Sequence, residues 1–239
     1  MTTPFTAESA LAYWHEPDGI PPRGTVVVLA GRGETSTVYE RFGRRIASDA
    51  YRVVAVPDAP DTVVDGAIAS ILGAPDTVGP IVLVGSDTGT AAVRRLARRH
   101  RDQVAAVVLA GLPPSTPTGR SPEDDVVART SCPNHRRVLA AHSTRGLFAQ
   151  PLVAGIAPGE ETLPVPVLAL HGGADVLSPV TTAADDYARL GATEVFVVAE
   201  GTHDILNDVT HRTVAATVVL FLERVKAGHD LLERRSVAR

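Results

Sequence analysis

The sequence predicts an α/β fold: a mostly parallel, twisted sheet with helices on both faces. Short, β-branched and almost wholly apolar runs recur along the chain, as strands buried on both faces require. Longer stretches with apolar residues at helical spacing lie between them, and that alternation implies right-handed βαβ crossovers. The length of 239 residues, 44% of them hydrophobic, suits one large domain over 1–239 and is short for two.

Taken in chain order, Ala10–His15 reads as an antiparallel edge strand, turned by the Pro- and Gly-rich segment 17–24. The buried strands are expected at Thr25–Ala30, Arg52–Val56, Ile81–Val84, Val104–Ala110, Val165–Leu170 and Glu194–Val198. The helices are expected at Val38–Asp49, Thr62–Leu72, Thr88–His100, Thr181–Leu190 and Leu206–Ala227. In the first of these, Val38, Phe42, Ile46 and Ala47 share one face with Arg and Glu opposite. One stretch breaks the rhythm. Segment 112–164 has no strand-like run, is rich in Pro, Ser, Thr, Arg and Gly, and is longer than an ordinary loop. It reads as a lid over a site, with a plain surface excursion as the alternative. The last helix is apolar enough to pack on the sheet or on a second copy of the chain.

Composition narrows the chemistry. With 23 basic and 27 acidic residues the net charge is −4, which argues against a basic nucleic-acid footprint. Lys226 is the sole lysine and falls in the last helix, so Schiff-base and P-loop lysine chemistry are close to excluded. Cys132 is the sole cysteine, ruling out an intrachain disulfide and a Cys-based zinc site. The start lacks the basic and apolar regions of a signal peptide, and no apolar run is long enough to span a bilayer. A soluble, cytoplasmic protein with a small-molecule substrate is the expectation, with neither nucleic acid nor membrane as partner. No cofactor or metal is implied, for there is no Gly-x-Gly-x-x-Gly with an acidic ribose partner, Walker motif, HExxH or EF-hand loop.

In doubly wound sheets reactive groups gather beyond the C-terminal ends of strands. Four turns occupy such positions: Ala30-Gly31-Arg32-Gly33-Glu34, Gly85-Ser86-Asp87-Thr88-Gly89, His171-Gly172-Gly173-Ala174-Asp175 and Glu200-Gly201-Thr202-His203-Asp204. The second has the pattern of a nucleophile elbow, where small flanking residues let strand and helix approach and the middle residue is held strained above the sheet. That middle residue is Asp87, and an N-cap after a tight turn is the plainer reading of the same residues. Asp175 and then His203 follow, in the order nucleophile, acid, histidine.

On these motifs the chain resembles the α/β-hydrolase fold superfamily from about Ala10 to Ala227. Its Arg-rich, Lys-poor composition is similar to that of lysophospholipase-like hydrolases of high-GC actinobacteria. The resemblance implies a catalytic set of Asp87, His203 and Asp175, with His171 supporting the acid turn. It implies an oxyanion hole from the backbone N–H groups of Arg32 and Thr88, where Ala30-Gly31-Arg32-Gly33 stands in place of the family's His-Gly-x-Gly. Gly31 and Ser86 complete the candidate substrate and oxyanion positions, Ser86 being also a displaced-nucleophile candidate one residue before the apex. The Arg32 guanidinium is expected at the substrate, at Glu34 or in solvent. His15, His100, His135, His142, His211 and His229 are expected on the surface or in the lid.

Aspartate in place of serine changes the chemistry. A carboxylate is already ionised and needs no base to attack. On an ester carbonyl it gives a high-energy mixed anhydride; on an sp³ carbon it gives an ester that His203 and water can hydrolyse. The related Asp-nucleophile families, epoxide hydrolases and haloalkane dehalogenases, use lid tyrosines or a tryptophan beside the nucleophile. Here Tyr13, Tyr39, Tyr51 and Tyr187 all lie outside 112–164, position 88 is threonine, and Trp14 is the sole tryptophan. Acid assistance would fall to His135, His142, Arg129, Arg136 or Arg137, and Cys132 lines the pocket or is an inert apolar residue. Three readings follow: hydrolysis of a small apolar substrate by an Asp-His-Asp triad, non-hydrolytic acid/base chemistry such as elimination, isomerisation or cyclisation of a natural-product intermediate, and a non-catalytic binding protein.

Overall fold

Valine dominates the sheet, and its β-branched side chain suits a pleated surface covered on both sides. In a computed structural model, which describes residues 10–113, 120–143, 162–193, 195–233 and 235, seven strands form one sheet. They are β1 (Ala12–Trp14), β2 (Thr25–Leu29), β3 (Arg52–Val56), β4 (Ile81–Ser86), β5 (Val104–Ala110), β6 (Val167–Gly172) and β7 (Val195–Val198). The spatial order is β1-β3-β2-β4-β5-β6-β7. Only β1 pairs antiparallel, with β3; all the other pairs are parallel. The chain leaves β2 for β3 on one side and then crosses back to β4 on the other. The turns after β2 and β4 therefore diverge, opening the crevice where such sheets bind ligands.

Alternate strand residues serve opposite faces. Val26, Val28, Val53, Ala55, Val82 and Val84 pack with α1 (Glu40–Ala47) and α7 (His211–Ala227). Val27, Leu29, Val54, Val56 and Leu83 pack with α2 (Asp61–Gly73), α3 (Gly89–Arg99) and α6 (Val180–Arg189). Val27, Val28 and Leu83 are wholly buried, and each such side chain contributes about 1.5–3 kcal/mol.

Three helical expectations are corrected. A 3-10 turn at Ser36–Tyr39 precedes α1, so Val38–Asp49 is two elements and ends at Ala47. The last helix begins at His211, not Leu206. Asp204 to Thr210 form turns instead: Asn207 N–H bonds Asp204 O at 2.9 Å, and the Asp208 carboxylate accepts from Thr130 Oγ1 and Ser131 N–H at 3.0 Å each. Ile205 and Leu206 are thus core residues of a loop. Third, segment 112–164 contains two helices, α4 (Pro122–Arg129) and α5 (Pro133–His142). Ser121 caps α4, its Oγ accepting Asp124 N–H at 3.1 Å. Positions 114–119 and 144–161, with much of the expected lid, lie outside the described residues. No helix among the described residues is long and apolar enough to cross a membrane.

Candidate active site

The site grows from the elbow between β4 and α3. Asp87 has φ of 47°, a left-handed conformation that costs a non-glycine residue about 1–3 kcal/mol and is held only where the surroundings enforce it. Two glycines enforce it. A Cβ at Gly85 would lie 2.7 Å from the Gly89 carbonyl, and one at Gly89 would lie 2.7 Å from Ala30 O and closer still to Leu29 O. Strand and helix approach at van der Waals distance only because both side chains are absent.

Around Asp87 the expected groups converge. His203 Nε2 is 3.3 Å from Asp87 Oδ1, and His203 Nδ1 is 2.7 Å from Asp175 Oδ2. The other oxygen of Asp175 accepts the N–H groups of Leu177 and Ser178 at 2.9 and 3.0 Å, which fixes the carboxylate toward the ring. Asp87 Oδ2 accepts the backbone N–H of Arg32 at 3.0 Å. All three side chains are buried. Burial disfavours a charged ring at His203, but the flanking carboxylates of Asp175 and Asp87 outweigh it and push its pKa up to about 10. The two carboxylates thus favour the imidazolium form of His203, in which both ring nitrogens donate. Burial likewise works against ionised Asp175, and the His203 charge beside it overrides that and holds its carboxyl below the usual range.

The remaining positions divide. The Arg32 guanidinium is neither in solvent nor on Glu34: it is buried, with Nη2 3.8 Å from Asp87 Oδ1. Desolvation lowers its pKa. Thr88 follows the apex, and its Oγ1 is buried without a hydrogen-bond partner. The Gly31 N–H donates to Glu34 Oε2 and Tyr39 Oη at 3.0 and 2.9 Å and not to Asp87, while a Cβ at Gly31 would lie 3.2 Å from Asp87 Cβ, so its contribution is to shape the turn. Ser86 is buried and engages the Tyr39 hydroxyl, whereas the histidine is bonded to Asp87. His171 supports the acid turn, Nε2–H donating to Ser178 O at 2.7 Å, and burial keeps its ring neutral by lowering its pKa.

The expected lid donors are otherwise engaged. His135 is buried, not on the surface, with Nε2 3.1 Å from Asp204 Oδ2. Arg129 is buried against Glu34 and Asp204, Arg136 donates to Thr130 O at 2.8 Å, and Arg137 bonds Asn134. His142 is exposed, and Cys132 is a buried free thiol. Sequence reasoning missed Glu34, Tyr39 and Asp204 as parts of the site's support. The signal was present: Glu34 closes the turn after β2 and Asp204 follows His203 directly. Among the described residues no group of three or more His, Cys, Asp or Glu is arranged to hold a metal ion.

No protein-family model matches the sequence, and no curated protein matches it significantly. Solved structures do match. A monoacylglycerol lipase from Paleococcus ferrophilus superposes with a TM-score of 0.68 at 19% identity, covering 90% of this chain and 98% of that one. A soluble variant of the monoglyceride lipase of Saccharomyces cerevisiae gives 0.75 at 14% identity, covering 90% and 91%. An esterase from Exiguobacterium antarcticum gives 0.66 at 17% identity, covering 89% and 94%. Such identities speak for the fold alone. With a mostly parallel sheet in this strand order and Asp87, Asp175 and His203 beyond the ends of β4, β6 and β7, the chain has the α/β-hydrolase fold.

Proposed function

We propose that this protein is a hydrolase acting at an sp³ carbon of a small, mostly apolar substrate, with Asp87 as nucleophile, His203 as proton carrier and Asp175 as the acid that orients it. One observation carries the reading: the two oxygens of Asp87 have different partners. Oδ2 rests on the Arg32 amide at 3.0 Å, where an oxyanion would be held, and Oδ1 is beside His203 at 3.3 Å. Attack through Oδ1 leaves Oδ2 as the carbonyl oxygen of the ester, already on its donor.

The protons balance. As the Asp87 ester forms, the leaving group departs with the pair of its broken bond; an epoxide oxygen takes the proton of the His203 imidazolium, whereas a halide leaves as the free anion and the ring gives its proton to solvent. Esterification also removes one of the two carboxylates that raised the His203 pKa, so the ring is released as a neutral base. It then takes a proton from water attacking Cγ of Asp87, and the charge developing on Oδ2 meets the Arg32 amide. Collapse expels the alcohol and restores carboxylate and imidazolium. The Arg32 guanidinium lies 3.8 Å from Oδ1, a buried cation beside the attacking carboxylate. The described helices of the expected lid, α4 and α5, serve as cover, meeting the turn that carries His203.

A second reading is favoured by the same ion pair. A carboxylate facing an imidazolium is a base beside an acid, sufficient for elimination, isomerisation or cyclisation without net addition of water. Turnover in H₂¹⁸O separates the two. The protein is incubated with a primary bromoalkane, a terminal epoxide and a 4-nitrophenyl ester, then digested and weighed. The nucleophilic reading requires ¹⁸O in the Asp87 carboxylate and a covalent adduct on that peptide after a rapid quench. Turnover that leaves Asp87 unlabelled favours acid/base chemistry, and full activity of Asp87→Ala overturns both readings.

A further inference from the structure

Among the described residues, Glu34, Asp204 and His135 form a buried polar cluster around one arginine outside the catalytic set. Arg129, the last residue of α4, has a side chain only 4% exposed. Its guanidinium donates through Nη2 to Glu34 Oε1, and through Nε to both oxygens of Asp204 at 3.2 and 3.1 Å. Its backbone carbonyl accepts Asp204 N–H at 2.8 Å and Thr202 Oγ1 at 2.9 Å. The second oxygen of Glu34 accepts the Gly31 N–H at 3.0 Å and the Tyr39 hydroxyl. Asp204 is bonded in turn to His135 on α5.

We infer that Arg129 is the positioning residue that joins the two reactive turns: it grips the residues on either side of His203 and, through Glu34, the turn that aims the Arg32 amide at Asp87. The inference rests on the roles proposed above for Asp87 and His203. Two buried carboxylates on separate turns would drive those turns apart or take up protons unless a cation stood between them. The planar guanidinium reaches both at once, which a point-charge ammonium cannot do. The cation holds Asp204 well below the usual carboxylate range even though burial opposes its charge. Because Arg129 belongs to the 112–164 insertion, docking of α4 and assembly of the catalytic geometry are one event. With α4 displaced, the His203 turn loses both the carbonyl and the guanidinium that hold it.

The test uses the full chain labelled with ¹⁵N-histidine, comparing Arg129→Met, Arg129→Lys and a packing control, Val126→Ala, on the same helix. The readouts are the low-field Nδ1–H resonance of His203, thermal unfolding, and kcat and KM on whichever of the three probe substrates the native protein turns over. In Arg129→Met the His203 resonance should shift or broaden and kcat should fall about 100-fold with KM within threefold. Arg129→Lys, which keeps the charge and the fold, should lose about tenfold in kcat with an intermediate resonance. Val126→Ala should lower the unfolding temperature and leave both other readouts in place. If folded Arg129→Lys keeps either the native His203 resonance or the native kcat, Arg129 is only part of a buried structural pair and the inference is overturned. Unchanged turnover in Asp87→Asn would instead remove the nucleophilic reading, and the resonance would still decide the role of Arg129.

Discussion

Substitution of Gly89 by alanine probes the elbow directly. In a helix interior alanine is favoured over glycine by about 0.5–1 kcal/mol, but Gly89 is the first residue of α3, so propensity offers less than that in favour of the change. The backbone opposes it. The new Cβ would stand 2.7 Å from Ala30 O, against an ordinary contact of 3.4 Å or more, and nearer still to Leu29 O. Both atoms belong to the β2 end, where the strand is wholly buried and cannot give way. The nearer carbonyl, Leu29 O, sets the demand, so the start of α3 must withdraw by about 1 Å or more, and overpacking of this kind costs about 1–3 kcal/mol. With two carbonyls met at once the clash outweighs the propensity gain, leaving a net loss of about 2 kcal/mol. In a chain of this size that lowers Tm by roughly 4–8 °C. The same withdrawal carries Thr88 and Asp87 away from Arg32, and a displacement near 1 Å in a reacting pair costs on the order of 100-fold in rate. Calorimetry and kcat/KM on the probe substrates measure the two effects. A Gly89→Ala protein with native Tm and native rate would show that strand and helix are not held in the contact that positions Asp87.

Asp175→Asn keeps the shape of the acid turn but removes the charge that raises the His203 pKa, so turnover should fall by about 10²–10⁴-fold. The covalent Asp87 adduct should accumulate, since the hydrolytic half-reaction needs the ring most; rapid-quench mass spectrometry would reveal an unaltered adduct lifetime if this is wrong. Stability should depend on pH on both sides. His203 has a folded pKa of about 10 against 6.5 for the free group, so its contribution is complete below pH 6.5 and is lost as pH rises toward 10. Asp204, lowered from 3.8 to about 2, stabilises above pH 4 and ceases to do so as pH falls toward 2. Urea unfolding from pH 3 to 10 should thus show a plateau between about pH 4 and 6.5, and a flat alkaline limb would contradict a charged His203. Ser86→Ala should leave turnover within threefold of native, whereas loss of all activity would return the displaced-serine reading.

The strands were legible because each is a short Val-rich run buried on both faces, a pattern that few other structures produce. Asp87, Asp175 and His203 were legible because each follows such a run. What escaped was set by partners distant in sequence. Nothing near Arg129 in the chain indicates that it meets Glu34 and Asp204, 95 and 75 residues away. The α4 helix had a readable start in Ser121-Pro122-Glu123, a cap followed by proline and an acidic first turn, but its few apolar residues gave no clear face. The overlong last helix has the opposite cause. Ile205 and Leu206 fit its apolar face, yet the Asp204 and Asp208 side chains bind the loop to α4 and Ser131 and delay the helix to His211.

The seating of Asp87 Oδ2 on the Arg32 amide also fixes which reagents can find this protein. Fluorophosphonates and sulfonyl fluorides mark hydrolases by capturing a hydroxyl at the elbow while their own anionic oxygen enters the amide hole. On the nucleophilic reading proposed above, the hole already contains an oxygen of the protein, and the attacking atom is a carboxylate oxygen and not a hydroxyl. Such a label should pass the resting enzyme by, leaving alkylating electrophiles, neutral and small enough to lie against Oδ1, as the reagents by which its substrate class can be sought.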